Sequence, residues 1–289
     1  AQDLRVGKLA VDSLRTLERT GAAPFVPKLK LEPTRAGAGY VAPTLVHDLN
    51  GDGRPEIIFA GNNSLLWNLD DWKWERAALC DHFRDPLSDA LLGDFTGDGV
   101  VDLFGVSAAA GPLLWRGNEK GRFPNPPARM TNKLADLHGA SACSAGDVDG
   151  DGDLDVWVMQ YKHPYMEGQF PTPYYNANDG YPSYLLLNDG RGNFTDATES
   201  AGLAGKRFRR SYSGSLVDLD GDGDLDLMNV SDFSGLDLYL NDGKGHFTDI
   251  TATLGEDRFS FGMSHALGDF NGDGRLDLYM TGMGSTTAR

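Results

Sequence analysis

The chain has 289 residues, 40% hydrophobic and 24% charged, a globular composition long enough for one large domain or two ordinary ones. Its 42 acidic residues outnumber 26 basic ones for a formal net charge of −16, which excludes a surface built to meet nucleic-acid phosphates. No apolar run approaches the roughly 18 residues of a membrane span, and two cysteines, Cys80 and Cys143, leave a disulfide and two small buried thiols as equal alternatives.

Taken in chain order, residues 1–40 stand apart. The chain opens on Ala1 rather than Met, read as a processed start that leaves an earlier export signal open. Leu4, Leu9, Val11, Leu14 and Leu17 fall near one helical face with Gly21 as a stop, predicting a short amphipathic helix against a partly frayed leader. The alternation of PKLKLEP at 27–33 predicts a lead-in strand able to pair with the last repeat.

From residue 41 to 289 one nine-residue motif recurs five times: DLNGDGRPE (48–56), DFTGDGVVD (94–102), DVDGDGDLD (147–155), DLDGDGDLD (218–226) and DFNGDGRLD (269–277). Oxygen-bearing side chains occupy positions 1, 3, 5 and 9, and glycine is always at 6. Calcium takes six to eight hard oxygen ligands, which a tight loop supplies from alternate residues plus a backbone carbonyl. The predicted ligands of loop one are therefore Asp48, Asn50, Asp52, the Arg54 carbonyl and Glu56, the last through both oxygens. In loop two they are Asp94, Thr96, Asp98, the Val100 carbonyl and Asp102. Loop three contributes Asp147, Asp149, Asp151, Asp153 (carbonyl) and Asp155, and loop four Asp218, Asp220, Asp222, Asp224 (carbonyl) and Asp226. Loop five contributes Asp269, Asn271, Asp273, Arg275 (carbonyl) and Asp277. Carboxylates at positions 1, 3, 5 and 9 number 17 of the 42 acidic residues, so five Ca2+ ions would bring the net charge from −16 to −6.

The flanks read as strands, and position 12 is Val158 in loop three and Asn229 in loop four, where an EF-hand needs a glutamate. A second landmark, LLLNDGRGNFTD at 186 and LYLNDGKGHFTD at 238, with a weaker echo in LLWRGNEKGRF at 113, reads as strand, tight turn, strand. Each repeat is then strand A, metal loop, strand B, a connection, strand C, turn and strand D. Four short strands repeated at 46 to 71 residues predict an all-β protein, a β-propeller of four-stranded antiparallel blades.

These loops resemble the FG-GAP and VCBS-type calcium repeats of the integrin alpha-subunit head. FTDATESAGLAG and FGMSHALGDFNGDGRLDLYMTGMGSTTAR resemble the cartilage acidic protein group often associated with an ASPIC/UnbV region. The resemblance implies a secreted, calcium-loaded, integrin-alpha-like propeller of about seven blades when complete, with no established catalytic activity. The chain departs from that pattern by stopping after strand B of its fifth repeat and by carrying no ASPIC/UnbV region. The sheet is expected to be completed by further chain or by a second molecule.

Antiparallel order puts the A–B loops and C–D turns on one face, and the B–C and D–A connections on the other. On that second face the third repeat is long: Asp155 to Asn188 spans 33 residues against 15 for Asp226 to Asn241. The excess lies in a Tyr- and Pro-rich stretch, 163–182, predicted to touch a protein partner, a second copy or a glycan, with a structural cover as the alternative. Under the contact reading, exchanging 163–182 for a short turn should leave melting nearly unchanged. Lys206, Arg207, Arg209 and Arg210 in GKRFRRS lie on the same face, either as solvated charge or facing an anionic partner.

His47, His82, His138, His163, His246 and His265 show no ligand spacing, and His47 and His265 read as satisfied histidines of strand A. No nucleophile, metalloprotease or phosphate-loop motif occurs. The chain is therefore read as non-enzymatic, an extracellular or periplasmic calcium-binding module for protein or glycan contacts. A subunit of an extracellular polymer, and a lyase-like enzyme on a calcium propeller, are the alternatives.

Overall fold

The computed structural model describes residues 43–70, 73–130, 134–164 and 170–283. The expected helix and lead-in strand of residues 1–40 lie outside them. Among the described residues eighteen strands follow one another as antiparallel meanders. Blade 1 is β1 (Thr44–His47), β2 (Glu56–Phe59), β3 (Ser64–Asp70) and β4 (Lys73–Ala78). Blade 2 is β5 (Asp89–Gly93), β6 (Asp102–Ser107), β7 (Gly111–Trp115) and β8 (Ala128–Arg129). Blade 3 is β9 (Ala142–Gly146), β10 (Asp155–Met159), β11 (Tyr184–Asn188) and β12 (Phe194–Asp196). Blade 4 is β13 (Arg210–Val217), β14 (Asp226–Asp232), β15 (Gly235–Asn241) and β16 (Phe247–Asp249). Among the described residues blade 5 is a pair, β17 (Gly262–Gly268) and β18 (Asp277–Gly282). All five acidic loops fall between strands A and B.

The B strands are continuous apolar runs rather than alternating ones because both of their faces are covered. Leu103 packs towards Ile58, Leu65 and Trp67 of blade 1, and its neighbour Phe104 towards Val156, Val158 and Leu186 of blade 3. Likewise Val156 faces blade 2 while Trp157 packs with Leu227 and Tyr239 of blade 4. Met228, Val230 and Leu238 then meet Leu267, Leu278 and Met280 of blade 5. Each core thus lies between successive sheets, the stacking of a propeller. Phe104 is fully buried against Phe95 and Phe194, and Phe104→Ala is expected to cost about 3–5 kcal/mol. The outward faces of the two end sheets expose Val46 and Tyr279.

Several expectations change. Both cysteines are free thiols: Cys80 packs between blades 1 and 2 and Cys143 between blades 2 and 3, so the disulfide alternative falls. The echo at 113–123 does not close a hairpin like those of blades 3 and 4. The turn itself is alike, Asn118 Oδ1 accepting the Lys120 and Arg122 amides as Asp189 and Asp242 do in blades 3 and 4, but Phe123 then bridges to Cys80 of blade 1, leaving β8 as strand D.

The basic stretch is not solvated along its length: its second half is interior. Arg209 and Arg210 are each 2% exposed. Arg209 Nε donates to Asp237 Oδ2 at 2.8 Å, and its other nitrogens reach Ala177 O, Asn176 O, Asn176 Oδ1 and Ser234 Oγ. Arg210 pairs with Asp179 and the Lys162 carbonyl, while Lys206 pairs with Asp237 and Asp249. These bonds pull the long B–C connection down onto blade 4. Ala177 is fully buried with Phe233 and Phe261, and Tyr174 packs edge-on against both rings. Residues 174–182 therefore pack as a cover, and their removal would take from Arg209 its partners on Asn176 and Ala177, take Asp179 from Arg210 and uncover the Phe233–Phe261 pair, which argues against the expectation of nearly unchanged melting.

Candidate metal centres

The five loops share one backbone design. Both glycines of every loop adopt positive φ, as at Gly51 (72°) and Gly53 (83°), a region that other residues enter at a cost. The position-1 aspartate accepts the amide of the position-6 glycine at 2.7–3.1 Å in all five. The position-5 aspartate accepts the amide of position 7 at 2.9–3.0 Å. Backbone donors thus hold these carboxylates inside the turn.

Position 9 belongs to the next strand. Glu56, Asp102, Asp155 and Asp226 open β2, β6, β10 and β14 and are at most 1% exposed. One carboxylate oxygen of each accepts the position-2 amide of its own loop at 2.8–3.2 Å, an arrangement Asp277 repeats. The second oxygen of Asp102, Asp155 and Asp226 accepts an amide from the C–D turn: Gly117, Asn188 and Asn241 respectively. Burial raises the pKa of all four carboxyls from its ordinary value, that of Asp155 to about 6.

In loops three and four the carboxylates of Asp147, Asp149 and Asp151, and of Asp218, Asp220 and Asp222, each bring three oxygens within 4.8 Å of one another. Asp149 Oδ1 is buried without a hydrogen-bond partner. Burial, then the charges of Asp151 and Asp147, push the Asp149 carboxyl up. Asp153 is raised too, by desolvation and then by Asp151 and Asp147. An orphaned oxygen, repelling carboxylates and an all-oxygen donor set fit a hard divalent cation. Such an ion would neutralise the loop and tie strands A and B together.

Loops one and five solve the same repulsion internally. Arg54 donates to Asp52 at 2.9 Å and Arg275 to Asp273 at 3.1 Å. The Arg54 side-chain bond holds the Asp52 carboxyl below the usual range, and the backbone and side chain of Arg275 do the same for Asp273. Here Asn50 and Asn271 replace the position-3 aspartate, and each accepts the position-5 amide. Sequence reasoning placed Arg54 and Arg275 only as carbonyl ligands; their guanidinium pairing went unread.

Asn188 and Asn241, read only as turn formers, are buried and reach across blades: Asn188 Nδ2 donates to Phe95 O at 2.9 Å and Asn241 Nδ2 to Val148 O at 2.7 Å. Their recurrence at one place in two hairpins was the available signal. His265 sits between Ser213 Oγ and Ser215 Oγ at 2.6 and 2.8 Å, on β17 as a satisfied strand-A histidine.

Fold and loops together define a propeller-like array of acidic-loop repeats. The FG-GAP-like repeat family matches residues 48–105, 94–158 and 218–280, more than half of the chain, and the protein belongs to that family. Among curated proteins, none matches. Among solved structures, the V. cholerae biofilm matrix protein Bap1 is similar at 18% identity and a TM-score of 0.42, over 83% of this chain and 35% of that one. The Photorhabdus luminescens Tc holotoxin pore, with a TccC3 mutation, is similar at 17% identity and a TM-score of 0.39, over 83% of this chain and 11% of that one. The chain therefore spans about a third and about a tenth of these proteins. No helix among the described residues is long and apolar enough to cross a membrane.

Proposed function

We propose that the protein is a calcium-loaded, integrin-alpha-like β-propeller, of about seven blades when its ring is complete, that works outside the cell or in a periplasm as a binding or scaffold module rather than an enzyme. The observation that carries this is the buried, unpartnered Asp149 Oδ1 within the Asp147–Asp149–Asp151 cluster, a cluster repeated at Asp218, Asp220 and Asp222. Loops of this kind fill where calcium is near millimolar, which supports an exported location. In this reading all five loops hold an ion through positions 1, 3, 5 and 9 and the position-7 carbonyl. Calorimetric melting with and without a chelator tests it: the transition should fall sharply on chelation, and a curve indifferent to chelator would end the assignment.

The partner-facing surface in this proposal is the face opposite the loops. There the clamped connection presents Phe170 and Tyr175, 60% and 52% exposed, above the buried Phe233–Phe261 pair, with Phe259 (40% exposed) on the same side of blade 5. Aromatic rings held by a rigid cover supply contact area at low ordering cost. A double substitution, Phe170→Ser with Tyr175→Ser, should abolish capture of the native protein partner, second copy or glycan while moving the melting temperature little. Retained capture would place the interface elsewhere.

A further inference from the structure

Between loops two, three and four runs an unbroken series of buried hydrogen bonds. In loop two, the Phe95 amide donates to Asp102 and the Phe95 carbonyl accepts Asn188 Nδ2 from blade 3. Asn188 Nδ2 also donates to Leu154 O in loop three at 3.2 Å, and the Asn188 amide donates to Asp155 Oδ1. Asp155 Oδ2 takes the Val148 amide, and the Val148 carbonyl accepts Asn241 Nδ2 from blade 4. Asn241 then repeats the pattern in loop four, with Nδ2 to Leu225 O at 3.0 Å and its amide to Asp226 Oδ1 at 2.8 Å. Phe95, Asn188, Asp155, Val148, Asn241 and Asp226 are all buried. The turns also lie close against the loops: an added Cβ at Gly190 would fall 2.3 Å from Asp153 Oδ2, and one at Gly243 would fall 2.4 Å from Asp224 Oδ2.

The series stops at loop one. At the place equivalent to Asn188, blade 2 carries Gly117, whose amide still donates to Asp102 Oδ1 but which has no side chain to reach back. A Cβ there would lie 2.0 Å from Val101 O, so blade 2 cannot accept an asparagine without moving backbone.

We propose that Asn188 and Asn241 couple the metal loops, making loops two, three and four a cooperative calcium unit from which loop one is excluded. The inference rests on the calcium reading above. Position-9 aspartates are shared between each ion site and the series, so an ion fixing Asp226 also fixes Asn241, and through it Val148 and loop three. Ordering the shared groups once makes the next site's ordering cost smaller, which is positive coupling. Asn188 and Asn241 act here as positioning residues and are not themselves ligands.

The test titrates the full chain with calcium alone, followed by isothermal calorimetry and by native mass spectrometry that counts bound ions. Emptying loop four (Asp220→Ala with Asp222→Ala) should weaken the ion retained at loop three by about five-fold or more. Emptying loop one (Asp48→Ala with Asp52→Ala) should leave the other sites within about two-fold. In an Asn241→Ala background, emptying loop four should no longer affect loop three, an outcome that a merely destabilising substitution would not give. If Asn241→Ala does not fold, the contrast between the two emptied loops decides alone. Ions retained with equal effects from emptying either loop would overturn the coupling but leave the calcium reading standing. No ions retained by the parent chain would overturn both.

Discussion

Loops one and three have the same spacing, the same pair of left-handed glycines and the same amide bonds from positions 6, 7 and 2 to the carboxylates of positions 1, 5 and 9, yet different electrostatics. Loop three concentrates Asp147, Asp149 and Asp151 around an orphaned oxygen, and its Asp149 and Asp153 carboxyls are pushed up by burial and mutual repulsion. Loop one carries Asn50 at position 3, and Arg54 neutralises Asp52 from within, so that its orphaned oxygen, Glu56 Oε1, lies at position 9 instead. Backbone fold alone therefore does not make the sites equivalent. Loops three and four, on this account, depend on an added cation, whereas loops one and five are partly satisfied without one.

The largest effect expected is metal removal. Two sites filled to about 100 times their dissociation constants contribute roughly 2.7 kcal/mol each, and at about 2–4 °C per kcal/mol chelation should lower the melting temperature by about 10 °C or more. Asp147→Ala with Asp151→Ala should remove a large share of that response, and Asp48→Ala with Asp52→Ala a smaller one. Equal losses in calorimetry would erase the distinction between the loops. Second, the clamp on the far face should behave as a metal-independent element: Arg209→Met takes from Asp237 its nearest partner, leaves it to Lys206, and is expected to lower stability by the same amount with or without chelator. A cost appearing only in calcium would tie that face to the loops.

Third, Arg54→Ala and Arg275→Ala remove the internal competitor of loops one and five. Exposed pairs of this kind are weak and screened, so calcium affinity there should rise by no more than about five-fold while loops three and four stay unchanged. Calcium titrations of both variants check this. The smallest effect is in pH. In the metal-free protein Asp149 and Asp155 bind protons more readily folded than unfolded, so this part of the stability is gained as pH falls towards 4 and lost as it rises through their raised pKa values, near 6 for Asp155. Asp52 and Asp273 have the opposite sign: their pairing is present above the ordinary carboxylate range and is lost as pH falls through their lowered values. Carboxyl carbon shifts followed by NMR should titrate higher for Asp149 than for Asp52, and the reverse order would break the comparison.

Much of the fold was legible because its signals are local. Each metal loop is nine contiguous residues, and the paired glycines dictate its turn, so the A–B placement and the four-strand order could be read directly. The flanks of the loops read as strands for the same reason, although that β6, β10 and β14 are covered on both sides shows only in the structure. What stayed hidden depends on residues distant in sequence. Arg209 and Arg210 read as surface charge because nothing local shows that Asp237 and Asp179, about 30 residues away, would meet them in the interior. Asn188 and Asn241 looked like ordinary turn residues because their acceptors, Phe95 O and Val148 O, are 93 positions back in the chain. The hairpin echo of blade 2 misled because Gly117 displaces the asparagine and the segment after it turns back to blade 1.

The central claim is that these repeats are calcium sites ranked by their internal charge. Native mass spectrometry at stepped free calcium measures it most directly. The account predicts five ions retained near millimolar calcium, with those of loops three and four the last to leave, and Asp147→Ala or Asp218→Ala each deleting one of these tightly held ions. A chain that retains no ions at millimolar calcium, or whose ion count is unchanged by both substitutions, would contradict it.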